Sequence, residues 1–161
     1  MTPADSVPVS AEKRLQELGI ILPSSPRPLG AYVEAVQSGS LLFLSGMLAI
    51  KDGKLQYVGR LGKELDADAG RDALRIAALN ALSVAKEYLG SLDHVRQVVS
   101  VRVYLATVGD FYSQPLIADA ASELLRDVFG EGRLSVRSVM GVGSLPLGSP
   151  VMLEVTFEVS Q

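Results

Sequence analysis

VRQVVSVRVYLA, residues 95–106, alternates apolar and polar side chains with the period of two that marks a half-buried strand. Val99, Val101, Val103 and Leu105 fall on one face, and Ser100, Arg102 and Tyr104 on the other. A helical pattern stands on each side of this segment. The one before it runs from about Asp68 to Leu89, carries the stripe Leu74, Ala78, Leu82, Ala85 and Leu89 at helical spacing, and stops at Gly90. Its many alanines let a helix lie close on a sheet. The one after it spans about Ser113 to Phe129, with Asp110 or Ser113 near the cap, Pro115 in the first turn and Gly130 as the stop.

Further out, more strands flank this α-β-α centre. AYVEAVQ (31–37) and LLFLSGMLAI (41–50) read as a hairpin about the short SGS connection, and KDGK (51–54) marks the next turn. SVRSVMGVGSLPLGSPVMLEV (135–155) reads as two strands and a turn; in the second, Val151, Leu153, Val155, Phe157 and Val159 alternate with Met152, Glu154, Thr156 and Glu158. The order β-β-α-β-α-β-β, without internal repeat, defines an α+β fold with a mixed sheet and two main helices on one face. The opposite face would hold Tyr32, Phe43, Met47, Tyr104, Val139 and Met152. That is too apolar to meet water across its full width, and burial against another copy of the chain is the simplest remedy.

Ahead of this domain, residues 1–9 read as a mobile arm. A short helix is expected from Ala11 to Leu18 with Ser10 as its cap and Gly19 as its stop. LPSSPRPLG (22–30) holds three prolines and cannot be regular structure. The division is therefore 1–27, an arm with a short helix and a Pro-rich linker, and 28–161, the folded domain.

Composition excludes several classes of function. Fifteen Lys and Arg against eighteen Asp and Glu leave a net charge of −3, and the cations are scattered singly, which disfavours a nucleic-acid partner. Trp is absent, so stacking platforms for single strands are scarce too. With no Cys and one His, the chain offers no thiolate and no His-rich metal centre, and it fits a reducing cytoplasm. Neither a signal peptide nor a membrane span is expected, because the apolar runs fall well short of the ~20 residues a spanning helix needs. His94, between helix and strand, reads as a surface histidine. GRLGKELDADAG (59–70) lacks the Walker spacing, and its acids read as a solvated helix start. No cofactor is expected.

One residue stands out against this background. Arg137 sits among Val136, Val139, Met140 and Val142, and a guanidinium cannot be neutralised there, so it must meet an anion or lie at a solvent edge. The anion could be a ligand carboxylate, or the group could be a structural arginine that bridges to Glu154 or to a neighbouring subunit.

GAYVEAVQSGSLLFLSGMLAI, the alanine-rich helix, VRVYLATVGDF and VRSVMGVGSLPLGSPVMLEV together, over about residues 28–159, resemble the Rid family, also called YjgF. The resemblance implies a chorismate-mutase-like fold, a homotrimer and ligand clefts between subunits. It also implies hydrolysis of reactive enamines and imines such as 2-aminoacrylate to 2-oxo acids and ammonia, in a family once labelled endoribonuclease or translation inhibitor. Arg137 matches the arginine that grips the substrate carboxylate, Tyr32 the tyrosine lining the cleft, and Ser45–Gly46 the serine-glycine pair beside it.

The pattern has departures. Met152 occupies the position of the glutamate that positions the attacking water, while Glu154, on the same strand face, keeps a carboxylate nearby. Val139 replaces the usual cysteine, Ala31 the proline before the tyrosine, and Met47 a glutamine. In LIADAASE, Asp119 is the nearest polar group to the usual asparagine. Two functions follow from this set: an enamine/imine deaminase, or a protein that binds or senses small 2-oxo acids in the same cleft without turnover.

Overall fold

The computed structural model describes residues 9–161. Residues 1–8, most of the expected arm, lie outside the described residues. The elements are α1 (Ala11–Glu17), β1 (Ala35–Ser38), β2 (Leu41–Leu44), β3 (Ile50–Lys51), β4 (Lys54–Leu55), α2 (Ala67–Leu89), β5 (Val95–Ala106), α3 (Gln114–Phe129), β6 (Val136–Val142) and β7 (Val151–Val159). Five strands form one mixed sheet in the order β1-β2-β7-β5-β6, where only β5–β6 is parallel. β3 and β4 make a separate two-residue hairpin.

Alternation along β7 decides which side of the sheet is sealed. Val151, Leu153, Val155, Phe157 and Val159 are buried, and the residues between them are only partly covered. The buried set packs with Ala73, Leu74, Ala77, Ala78, Ala81 and Leu82 of α2 and with Ile117, Ala121, Leu124 and Val128 of α3. Both main helices therefore cover one face, as the sequence implies. On the other face Val36, Phe43 and Met140 remain exposed beside Thr156 and Met152.

Both helices start and stop on local chemistry. Asp66 caps α2 by accepting the Ala69 N–H at 2.9 Å, and Gly90 ends it in the left-handed conformation at φ 82°. Pro115 stands in the first turn of α3, where its missing N–H costs nothing, though Ser113 makes no side-chain cap bond. Ser10 caps α1 as expected, at 3.1 Å from the Lys13 N–H. The short helix is no loose tether: Ala11 and Leu15 are buried in the common core, and Arg14 Nε donates to the Asp127 carbonyl at 3.0 Å.

Four expectations need correction, each for a reason of register or turn geometry. The first strand begins at Ala35, not Ala31, because the chain turns at Gly30–Tyr32, with the Tyr32 N–H bonded to the Gly30 carbonyl. The second strand stops at Leu44. Phe43 faces Thr156, but four residues on Met47 faces Leu153 instead of Met152, so one extra residue is accommodated at Ser45–Gly46. In β5, Arg96 and Val99 are extra residues against β7; Val98 takes the core place that simple alternation gives to Val99. Met47 and Val139 belong to the helix-covered side, since their partners are the buried Leu153 and Val103.

Two polar residues inside the α2 stripe fasten the loops on which the site is built. Asn80, 1% exposed, donates through Nδ2 to the carbonyls of Leu48 (3.0 Å) and Ile50 (2.8 Å). Ser83 Oγ donates to the Pro23 carbonyl at 2.8 Å. Asn80→Ala would leave two carbonyls short of donors, and it is expected to lower unfolding stability by about 1–3 kcal/mol. Urea denaturation checks this, and an unchanged midpoint would contradict the role.

Candidate functional site

The extra residue at Ser45–Gly46 opens a depression where β2 parts from β7. Ser45 Oγ donates to the Val33 carbonyl at 2.6 Å, and the Ser45 N–H to the Glu34 carbonyl at 2.9 Å. These two bonds pull the Tyr32–Glu34 segment alongside the bulge. A pocket of about 360 Å³ results, lined by Tyr32, Glu34, Ser45, Gly46 and Met152 together with the apolar Leu29, Leu48 and Ile50 and with Arg27 from the Pro-rich segment. The Tyr32 hydroxyl accepts the Leu29 N–H at 3.0 Å, which fixes the ring and leaves the hydroxyl proton available to a ligand.

Gly46 leaves room for the flexible Met152 side chain and has no strained backbone. A Cβ added there would stand 2.8 Å from Met152 Sδ. The thioether thus lies directly over the glycine and forms part of the pocket wall.

The structure divides the residues singled out from sequence into two groups. Tyr32, Ser45, Gly46 and Met152 line the pocket. Arg137, Val139 and Asp119 do not; they lie at the β6 edge, where Arg137 and Val139 sit opposite Val101 and Val103 on the side facing α3. There Arg137 Nη1 donates to Asp119 Oδ1 at 2.7 Å and to Ser122 Oγ at 3.3 Å. Nε and Nη2 make no bond among the described residues, so one edge of the planar fork is unengaged. The anion beside Arg137 within the chain is Asp119, not Glu154.

Glu154 shares the open face with Met152, as strand alternation requires, but it pairs in register with Arg102 and does not line the pocket. The carboxyl that does is Glu34, a residue that sequence reading passed over as one polar position in an alternating strand. Burial among the apolar lining raises its proton affinity above the usual carboxylate range; Arg27 opposes the shift and Glu87 adds to it. His94 is exposed, and no cluster of potential metal ligands occurs among the described residues. No helix among them is long and apolar enough to cross a membrane.

A mixed five-stranded sheet with its helices on one face, and a pocket at a bulge on β2, defines an α+β chain of the chorismate-mutase-like class. The family model described as "YjgF/chorismate_mutase-like, putative endoribonuclease" matches residues 12–159, and the chain belongs to this family, YjgF or Rid. Among relatives, protein TCP17 of Trypanosoma cruzi is 38% identical over 148 residues, covering 91% of this chain and 92% of that protein. A 2-iminobutanoate/2-iminopropanoate deaminase of Dermatophagoides farinae is 28% identical over 135 residues, covering 84% and 91%. The crystal structure of Atu1372, a protein of unknown function from Agrobacterium tumefaciens, superposes with a TM-score of 0.85 at 33% identity, covering 93% of this chain and 92% of that one.

The contact between Gly46 and Met152 can be tested by a double-mutant cycle. Gly46→Ala is expected to displace the flexible Met152 side chain at a cost of about 1 kcal/mol, and Met152→Ala in the same chain to recover most of that. Strictly additive losses would mean that the two residues do not touch.

Proposed function

We propose that this protein binds a small 2-oxo or 2-imino acid in a cleft completed between copies of the chain, and that it hydrolyses the imine to the 2-oxo acid and ammonia. The observation that carries the reading is the half-engaged guanidinium of Arg137. Asp119 and Ser122 hold it through Nη1 alone, and the free Nε–Nη2 edge has the geometry for a bidentate carboxylate. Asp119 is then the residue that orients the arginine. Val139, beside it, contributes packing and backbone.

Arg137 and the pocket do not meet within one chain, so the reading requires a second copy to bring them together. The exposed apolar row Val36 and Phe43, with Met140 across the sheet, supports such packing, and a homotrimer is the assembly proposed. In that cleft Tyr32, Ser45 and Gly46 would receive the body of the ligand. The scattered cations and the net charge of −3 speak against a nucleic-acid substrate, and the absence of Cys accords with a cytoplasmic setting.

Met152 favours a second reading, a binding or sensing protein without turnover. Its thioether cannot accept a proton from water, and general-base assistance is worth about 10²–10⁴-fold.

Ammonia release from freshly generated 2-iminobutanoate separates the two readings. Release above the spontaneous rate is expected from wild type and lost in Arg137→Ala. In calorimetry with 2-oxobutyrate, Arg137→Ala should weaken binding by roughly ten- to a hundredfold, since a charged hydrogen bond contributes about 1.5–3 kcal/mol. Equal binding by the two proteins would remove the carboxylate assignment. A monomer by light scattering at micromolar concentration would remove the shared cleft.

A further inference from the structure

We propose that Glu34 is the proton acceptor that activates water for imine hydrolysis in this chain, filling from the β1 side of the pocket the role that Met152 cannot. The inference rests on the deaminase reading above and gives that reaction its base.

Three observations lead to it. Among the described residues Glu34 is the only carboxyl lining the pocket, and it does so beside Tyr32, Ser45, Gly46 and Met152. Its backbone is held by the bulge, through the Ser45 N–H to its own carbonyl and the Ser45 hydroxyl to the preceding carbonyl of Val33. Its side chain is half-buried and makes no hydrogen bond or ion pair among the described residues, and the carboxyls singled out from sequence lie outside the pocket. Asp119 is bound to Arg137, and Glu154 faces Arg102 outside the pocket. A carboxylate without a partner in an apolar recess holds its proton more firmly than one in water, and a base works best when its pKa approaches the working pH.

The groups around Glu34 are Arg27 from the Pro-rich segment, Glu87 and Tyr88 from α2, and Tyr32 from its own segment. Arg27 and Glu87 form a loose, exposed pair at 3.6 Å, which leaves burial as the main influence on Glu34. In the reaction, water oxygen adds to the iminium carbon while Glu34 takes one water proton, and the C=N π pair becomes the nitrogen lone pair of a carbinolamine. Glu34 then returns the proton to nitrogen. The C–N bond breaks with its electrons leaving on ammonia, and the hydroxyl loses its proton to solvent as the carbonyl forms.

The test is the pH profile of kcat/KM with 2-iminobutanoate generated in place, read as ammonia. Wild type should lose rate as pH falls through a limb lying above the ordinary glutamate range of about 4.3. Glu34→Gln should lose about 10²–10⁴-fold and the limb with it, while calorimetry still shows 2-oxobutyrate binding. Glu34→Asp should keep the limb at reduced rate. Two variants leave Glu34 itself untouched: Glu87→Gln should move the limb to lower pH by removing a neighbouring negative charge, and Arg27→Gln should move it higher. A wild-type rate and limb in Glu34→Gln, or a limb indifferent to both neighbours, overturns the assignment and leaves deamination standing. Wild type that binds 2-oxobutyrate but releases no ammonia above the spontaneous rate overturns deamination and this role together.

Discussion

A single extra residue in β2 sets the form of the site. Until Phe43 the strand runs in register with β7, and at Met47 it has slipped by one place. At the slip Ser45 gives its N–H to the Glu34 carbonyl, one rung beyond the β1–β2 pairs, and its hydroxyl to the Val33 carbonyl. Three consequences follow together. Met47 turns inward to the core, Gly46 lies bare beneath Met152, and Tyr32 and Glu34 are drawn to the rim. A bulge re-aims side chains in this way because side-chain direction alternates along a strand, and one inserted residue reverses it.

The helices hold that arrangement in place. Asn80 and Ser83 interrupt an apolar helix face, which costs burial of polar groups, but both are satisfied by carbonyls of the loops that frame the pocket. The covered face of the sheet is thus a packed core that also anchors the site on the opposite side. The uncovered face keeps Val36, Phe43 and Met140 in solvent in the isolated chain. The charges are divided just as clearly: the pocket contributes one unpartnered carboxyl, and the β6 edge one arginine with half its donors in use. Asp119 pairs with the arginine through one nitrogen, and the second edge of the guanidinium and the Glu34 carboxyl carry no hydrogen bond among the described residues.

Much of this was legible before any coordinates. Periodicity locates both long helices, the central strand and β7, because each has a face fully committed to the core, and the family resemblance rests on four segments that follow in order, with Tyr32, Ser45, Gly46 and Arg137 carried over from it. Legibility failed where a residue's direction depends on an inserted neighbour. Simple alternation puts Val99 and Met47 on the wrong face because it carries no sign of a bulge, and it misplaces Val139 because the pairing of β6 with β5, unbroken though it is, is not written in either strand alone. Tyr32 to Glu34 read as strand because their composition suits one, although the turn at Gly30–Tyr32 keeps them out of β1. Glu34 escapes notice for the same reason: an acid in an alternating segment looks solvated until the fold places it in one pocket with Leu48 and Ile50.

The central claim is that the arginine and the pocket belong to one site contributed by two copies of the chain. A crystal structure with 2-oxobutyrate tests it most directly. The account expects the ligand carboxylate on Nε and Nη2 of Arg137 from one copy, at the ~2.7–2.9 Å of charge-assisted hydrogen bonds, with the rest of the ligand against Ser45, Gly46 and Tyr32 of another. A ligand enclosed by one chain alone, with Arg137 still engaged only by Asp119 and Ser122, would contradict it.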